Sequence, residues 1–107
     1  MLCMTLITEP TKLVEACNRL ANEKFLSIDT EFMREKTYYP QLCLIQIAGE
    51  KEAIIIDALA KDINLNPVLE LMENQTITKV FHACRQDMEI FYNLNHKIPS
   101  PIFDTQI

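Results

Sequence analysis

The sequence predicts a mixed α/β domain, and three observations carry that expectation. Apolar runs with strand-like patterning recur at residues 4–7, 25–32, 42–48, 53–57, 76–81 and 102–103. Apolar residues at helical spacing fill the intervals 8–22, 66–72 and 84–94. The polar link 49–52 is too short for a crossover, so the strands on either side of it should form an antiparallel hairpin. The resulting order is βα, a three-strand antiparallel meander, then αβαβ: a mixed sheet with packed helices.

Each element has its own warrant. Residues 4–7 form a short apolar strand. Thr8 reads as an N-cap, with Glu9 and Pro10 in the first turn. Leu13, Val14, Cys17, Leu20 and Ala21 then recur at helical spacing to about Asn22. Residues 25–32 alternate, with Phe25, Ser27, Asp29 and Glu31 on one face and Leu26, Ile28, Thr30 and Phe32 on the other. Residues 34–40 are a loop that ends in Tyr38-Tyr39-Pro40. Residues 42–48 are nearly all apolar, which suits a strand covered on both faces. Asn66 and Pro67 start a helix whose inward face includes Val68, Leu69, Leu71 and Met72. Pro99 and Pro101 punctuate the exit from the last helix, residues 84–94.

At 107 residues the chain is one domain or part of one. Its hydrophobic content of 49% allows a core. A net charge of −5 argues against non-specific adhesion to DNA or membranes. It leaves a nucleic-acid substrate open, because an acidic site recovers attraction through bound cations. The start of the chain lacks the basic and apolar regions of a signal peptide. No stretch approaches the ~20 apolar residues of a membrane span. Cys3, Cys17, Cys43 and Cys84 are scattered, which suits reduced thiols and a cytoplasmic location. Two histidines offer little for a zinc site.

The chemistry centres on Asp29 and Glu31. One residue apart on a strand, they share a face with Cα atoms about 6.6 Å apart. Two carboxylates so placed can converge on a divalent cation. Taken alone, they equally suit the wet face of a half-buried strand. Asp87 shifts that balance. On the helix 84–94 the apolar stripe is Cys84, Met88, Phe91 and Leu94, and Asp87 projects between Phe91 and Leu94. A carboxylate on a core-facing surface needs a partner. No basic residue shares its face. A metal shared with Asp29 and Glu31 would meet that need, and so would the free amides and dipole of the helix's first turn.

The remaining polar residues read more locally. His82 is either a phosphate contact or a hydrogen-bonded structural histidine. Asp57 and Asp104 close apolar strands as caps or turn residues. Tyr38 and Tyr39 either stack on a base or pack their loop, and Arg34 and Lys36 are phosphate contacts or merely solvated. Nothing in the sequence suggests a lowered pKa for the Cys84 thiol beside His82.

These motifs together resemble a known family. Phe25-Leu26-Ser27-Ile28-Asp29-Thr30-Glu31-Phe32 is similar to the first exonuclease motif of the DEDD superfamily. Residues 38–47 resemble the next strand of its ribonuclease D branch, and Lys79-Val80-Phe81-His82-Ala83-Cys84-Arg85-Gln86-Asp87-Met88-Glu89 resembles the second motif. Ile102-Phe103-Asp104-Thr105-Gln106 resembles the strand end that follows. The resemblance implies a ribonuclease H-like fold and a 3′→5′ exoribonuclease acting on RNA 3′ ends such as tRNA precursors. It implies two Mg²⁺ or Mn²⁺ ions. Asp29 would bridge both, Glu31 would hold the ion that activates water, and Asp87 would support the second ion. Thr30, Phe32, Met33 and His82 would lie along the substrate.

The family's third motif, a tyrosine followed four residues later by the fourth carboxylate, is absent from residues 1–107; Tyr92 is followed there by His96. The expectation is therefore a partial exonuclease domain, C-terminally truncated, that a complementing C-terminal polypeptide would complete. The alternative is an inactive remnant that only binds nucleic acid. A haloacid dehalogenase-like phosphatase requires D-x-D-x-T, and Glu31 and Met33 occupy the last two of those positions.

Overall fold

The computed structural model describes residues 3–33 and 41–106, so the expected loop with Arg34, Lys36, Tyr38 and Tyr39 lies outside the described residues. The order is β1 (Cys3–Ile7), α1 (Pro10–Leu20), β2 (Phe25–Met33), β3 (Gln41–Ala48), β4 (Glu52–Asp57), α2 (Asn66–Glu73), β5 (Thr78–Phe81), α3 (Arg85–Asn95) and β6 (Ile102–Asp104). The six strands make one sheet in the order β1-β4-β3-β2-β5-β6. The expected meander is present: β2, β3 and β4 pair antiparallel, while β1, β5 and β6 join in parallel.

Side-chain alternation divides the sheet into two unlike faces. The register aligns Ile28, Ile47 and Ile54 across β2, β3 and β4. These are fully or almost fully buried, in one core with Leu13 and Leu20 of α1, Val68 and Met72 of α2, and Ile90 and Phe91 of α3. All three helices therefore bury their apolar stripes on this face. The adjacent register row aligns Asp29, Gln46, Ile55 and Leu6 on the other face. That face is open among the described residues, and Met4, Leu6, Phe25 and Phe103 are largely exposed on it.

Several local expectations are corrected. Thr8 does not cap α1; Glu9 does, with extended backbone and no side-chain cap bond. The residue before a proline is driven out of the helical region, so the helix starts at Pro10. Strand β5 starts two residues later than expected because Asn74 accepts hydrogen bonds from the Thr76 N–H and hydroxyl, holding residues 74–76 in a turn. On α3, Ile90 joins the buried stripe and Leu94 leaves it at 41% exposure. The stripe is centred on Asp87, Ile90 and Phe91, spaced three and four residues apart.

Lys79 is the least expected core residue. It follows the inward alternation of Ile77 and Phe81 and is fully buried. Its ammonium donates to the Asn74 carbonyl at 2.7 Å and the Ser100 carbonyl at 2.8 Å, tying the end of α2 to the approach to β6. Burial pulls its pKa down to about 8. At Lys79 the folded state therefore binds fewer protons than the unfolded chain between pH 8 and the ordinary 10.5. Lys79 should thus add stability as pH rises across that window, a contribution that Lys79→Met removes, while the raised Cys17 thiol acts oppositely above pH 9 in both proteins. Urea midpoints of the two proteins at both ends of the window measure this; parallel curves would contradict it.

Candidate active site

Strand β2 presents Asp29 and Glu31 to solvent on the open face, as its alternation requires. Asp29 Oδ1 accepts the Thr30 N–H at 3.0 Å, which fixes the carboxylate against its own backbone. Just beyond Glu31 the pairing with β3 shifts register. Glu31 faces Leu44 and Phe32 faces Leu42, so Cys43 is the extra residue of a bulge. Its carbonyl is not wasted: it accepts the Ala58 N–H at 2.9 Å. The bulge falls beside the acidic pair, where it bends the strand end.

Asp87 comes from the covered side. It is 7% exposed, in the first turn of α3, and its Oδ1 accepts a hydrogen bond from the hydroxyl of Thr30. Burial raises its pKa above the usual carboxylate value, and the nearby charges of Asp29 and Asp104 push the same way. The Thr30 hydroxyl opposes them. Sequence reasoning placed Asp87 toward the core correctly but missed this partner. Thr30 lies on the inward alternation of β2 with Leu26 and Ile28, and that placement was the available signal. The hydroxyl satisfies Asp87, so burial of Asp87 alone does not demand a metal.

The other expected residues separate by exposure. Met33 is 49% exposed, whereas Phe32 is half-buried and packs against the core. The Thr30 side chain is buried and faces Asp87 rather than solvent. His82 is exposed, with Nδ1 3.0 Å from the Thr105 hydroxyl. Asp57 accepts the Leu59 N–H at 2.9 Å, the turn role expected of it. Asp104 accepts amides from Ala83, Cys84 and Gln106, and these hold its carboxyl well below the usual range. The Cys84 thiol is raised, chiefly by its hydrogen bond to Asp104, and burial pushes the Cys17 thiol up to about 12. Neither is an activated nucleophile. Cys17, Cys43 and Cys84 are all free thiols.

An all-carboxylate donor set suits a hard cation such as Mg²⁺ or Mn²⁺. Asp87, raised in part by the charge of Asp29, is a group that a cation would favour in its ionised form. Among the described residues, however, no group of three or more His, Cys, Asp or Glu side chains stands ready to hold an ion. A shallow depression of about 80 Å³ beside Asp29 is lined by Met4, Ser27, Gln46 and Ala53 and excludes Asp87. Among the described residues no helix is long and apolar enough to cross a membrane.

A family model described as 3′–5′ exonuclease matches residues 4–107. The chain is 52% identical over 104 residues to ribonuclease D of Nitrobacter hamburgensis, covering 97% of this chain and 27% of that protein. It is 54% identical over 104 residues to ribonuclease D of Bartonella henselae, covering 97% of this chain and 26% of that protein. The crystal structure of Escherichia coli RNase D, described as an exoribonuclease involved in structured RNA processing, superimposes with a TM-score of 0.90 at 35% identity. That superposition covers 98% of this chain and 28% of that one. The chain thus spans about 27% of the length of the curated relatives it matches.

Proposed function

Since this chain belongs to the 3′–5′ exonuclease family, we propose that it carries the first part of a site that removes nucleotides from RNA 3′ ends by metal-dependent hydrolysis. The observation that carries the reading is the placement of Asp29 and Glu31 side by side on the solvent face of β2, with Asp87 brought to the same strand through Thr30. Exonucleases of this family generally use divalent metal ions. Asp29, Glu31 and Asp87 would hold Mg²⁺ or Mn²⁺, which when bound supplies an activated water and stabilises the departing oxygen. Phe32 and Met33 at the end of β2 and His82 just after β5 would contact the terminal nucleotide, and Thr30 would serve through Asp87. A fourth carboxylate would come from the length of the relatives that these residues do not span. Structured RNA is the substrate class that the Escherichia coli relative supports; within it, tRNA precursors are the substrate proposed for this site.

A second reading, a fragment that binds nucleic acid without cleaving it, draws on one observation. Asp87 is already satisfied by Thr30, and no three-ligand group is assembled among the described residues. Trimming of 5′-labelled RNA separates the two. The chain is assayed alone and with a polypeptide matching the remaining length of its relatives. Stepwise shortening from the 3′ end should require Mg²⁺ or Mn²⁺ and stop in Asp29→Asn. RNA binding without shortening in either arm would favour the second reading, and trimming that survives Asp29→Ala would refute the proposed site.

A further inference from the structure

The turn between β5 and α3 is held in a conformation that its own residues do not favour. Ala83 stands at φ 54, in the left-handed region where a Cβ is crowded. The N–H groups at the start of a helix also lack partners within it. Asp104, arriving on the neighbouring strand β6, meets both needs. Its Oδ1 accepts the Ala83 N–H at 3.0 Å and its Oδ2 accepts the Cys84 N–H at 3.0 Å. The same Oδ1 takes the Gln106 N–H at 2.9 Å, which folds β6's own exit around the carboxylate. The Thr105 N–H closes the latch on the Phe81 carbonyl at 2.8 Å.

We propose that Asp104 is a positioning residue for the exonuclease site: by clamping the turn before α3 from β6, it sets where Asp87 stands relative to Asp29 and Glu31. Cys84 is the N-cap of α3, and its carbonyl accepts the Met88 N–H at 2.8 Å, closing the turn that carries Asp87. A shift of Cys84 therefore carries Asp87 with it. Thr30 restrains the carboxylate of Asp87 directly, and Asp104 restrains the backbone beneath it. The inference rests on the reading of Asp87 as a metal-holding carboxylate.

The test measures Mn²⁺ affinity by titration calorimetry, and beside it the Mn²⁺ concentration that half-saturates RNA trimming, for the chain with its complementing polypeptide. In Asp104→Asn the amide oxygen can keep Ala83 and Gln106, while its NH₂ faces the Cys84 N–H and that clamp is lost. The Mn²⁺ Kd and the half-saturating Mn²⁺ should both rise about tenfold with the RNA KM nearly unchanged. Adding Ala83→Gly, which takes φ 54 without crowding, should recover part of the loss. An unchanged metal requirement in Asp104→Asn, with Asp87→Asn still abolishing trimming, would overturn the proposal and leave the site standing. Intact trimming in Asp87→Asn would overturn the site reading, and this proposal with it. If Asp104→Asn alone does not fold, the double variant is compared with Ala83→Gly, and equal metal requirements there would overturn the proposal.

Discussion

Replacing Asp87 with asparagine should abolish trimming and, in metal-free buffer, make the protein more stable at neutral pH. Burial and the charges of Asp29 and Asp104 raise the pKa of Asp87 in the folded state. Folding thus favours the neutral carboxyl, and this contribution is fully present below the unfolded value of 3.8. It is lost as pH rises through the folded value, because the native protein ionises a partly desolvated carboxylate at a cost that the unfolded chain does not bear. Asparagine removes the charge, nearly keeps the shape, and can still accept the Thr30 hydroxyl. The melting temperature in EDTA should therefore rise at pH 7 and the advantage should shrink toward pH 3.8. Activity should move oppositely, falling on the order of 100-fold or more, since even groups one step removed from a metal cost 10–100-fold. A lower melting temperature at pH 7 would show that Asp87 stabilises the fold as an anion, contrary to this account.

The same residue shows how far the sequence could be read. Helical spacing placed Asp87 toward the core, and strand alternation placed Asp29 and Glu31 together, because both are local periodicities of a regular backbone. The meander was legible from the short link 49–52 for the same reason. What escaped depends on contacts between distant segments. Thr30 and Asp87 meet although 57 residues separate them. Lys79 reads as a polar residue until the carbonyls of Asn74 and Ser100 close over its ammonium. The bulge at Cys43 depends on Ala58, which claims its carbonyl. Asp104 was recognisable as a cap, but the turn it caps lies 20 and 21 residues away, beyond any local pattern. The family resemblance supplied the reaction, whereas the interactions that hold its residues in place needed the fold.

Phe91→Ala should have the largest effect on stability. Phe91 is 1% exposed and meets Phe81 of β5 edge to face, with ring centroids 6.3 Å apart and planes at 70°. Truncating a buried phenylalanine removes apolar burial and leaves a cavity, at a cost of about 3–5 kcal/mol. Losing an aromatic pair of this geometry adds about 0.5–1.5 kcal/mol to what burial alone would predict. Domains of this size are stable by only about 5–15 kcal/mol, so one substitution removes a large share of the total. The effect should reach the site as well. Phe91 lies one helical turn beyond Asp87 and, with Ile90, presses the first half of α3 onto the sheet. Leu94, farther along, is 41% exposed and contributes less grip. Urea unfolding should show a lower midpoint with an unchanged slope, and Phe91→Leu should recover most of the loss. Leu94→Ala is the control, expected to cost under ~1 kcal/mol, because Leu94 is 41% exposed and outside the buried stripe. Equal losses at positions 91 and 94 would mean that α3 is held along its whole length, and that the core contact next to Asp87 is not what anchors it.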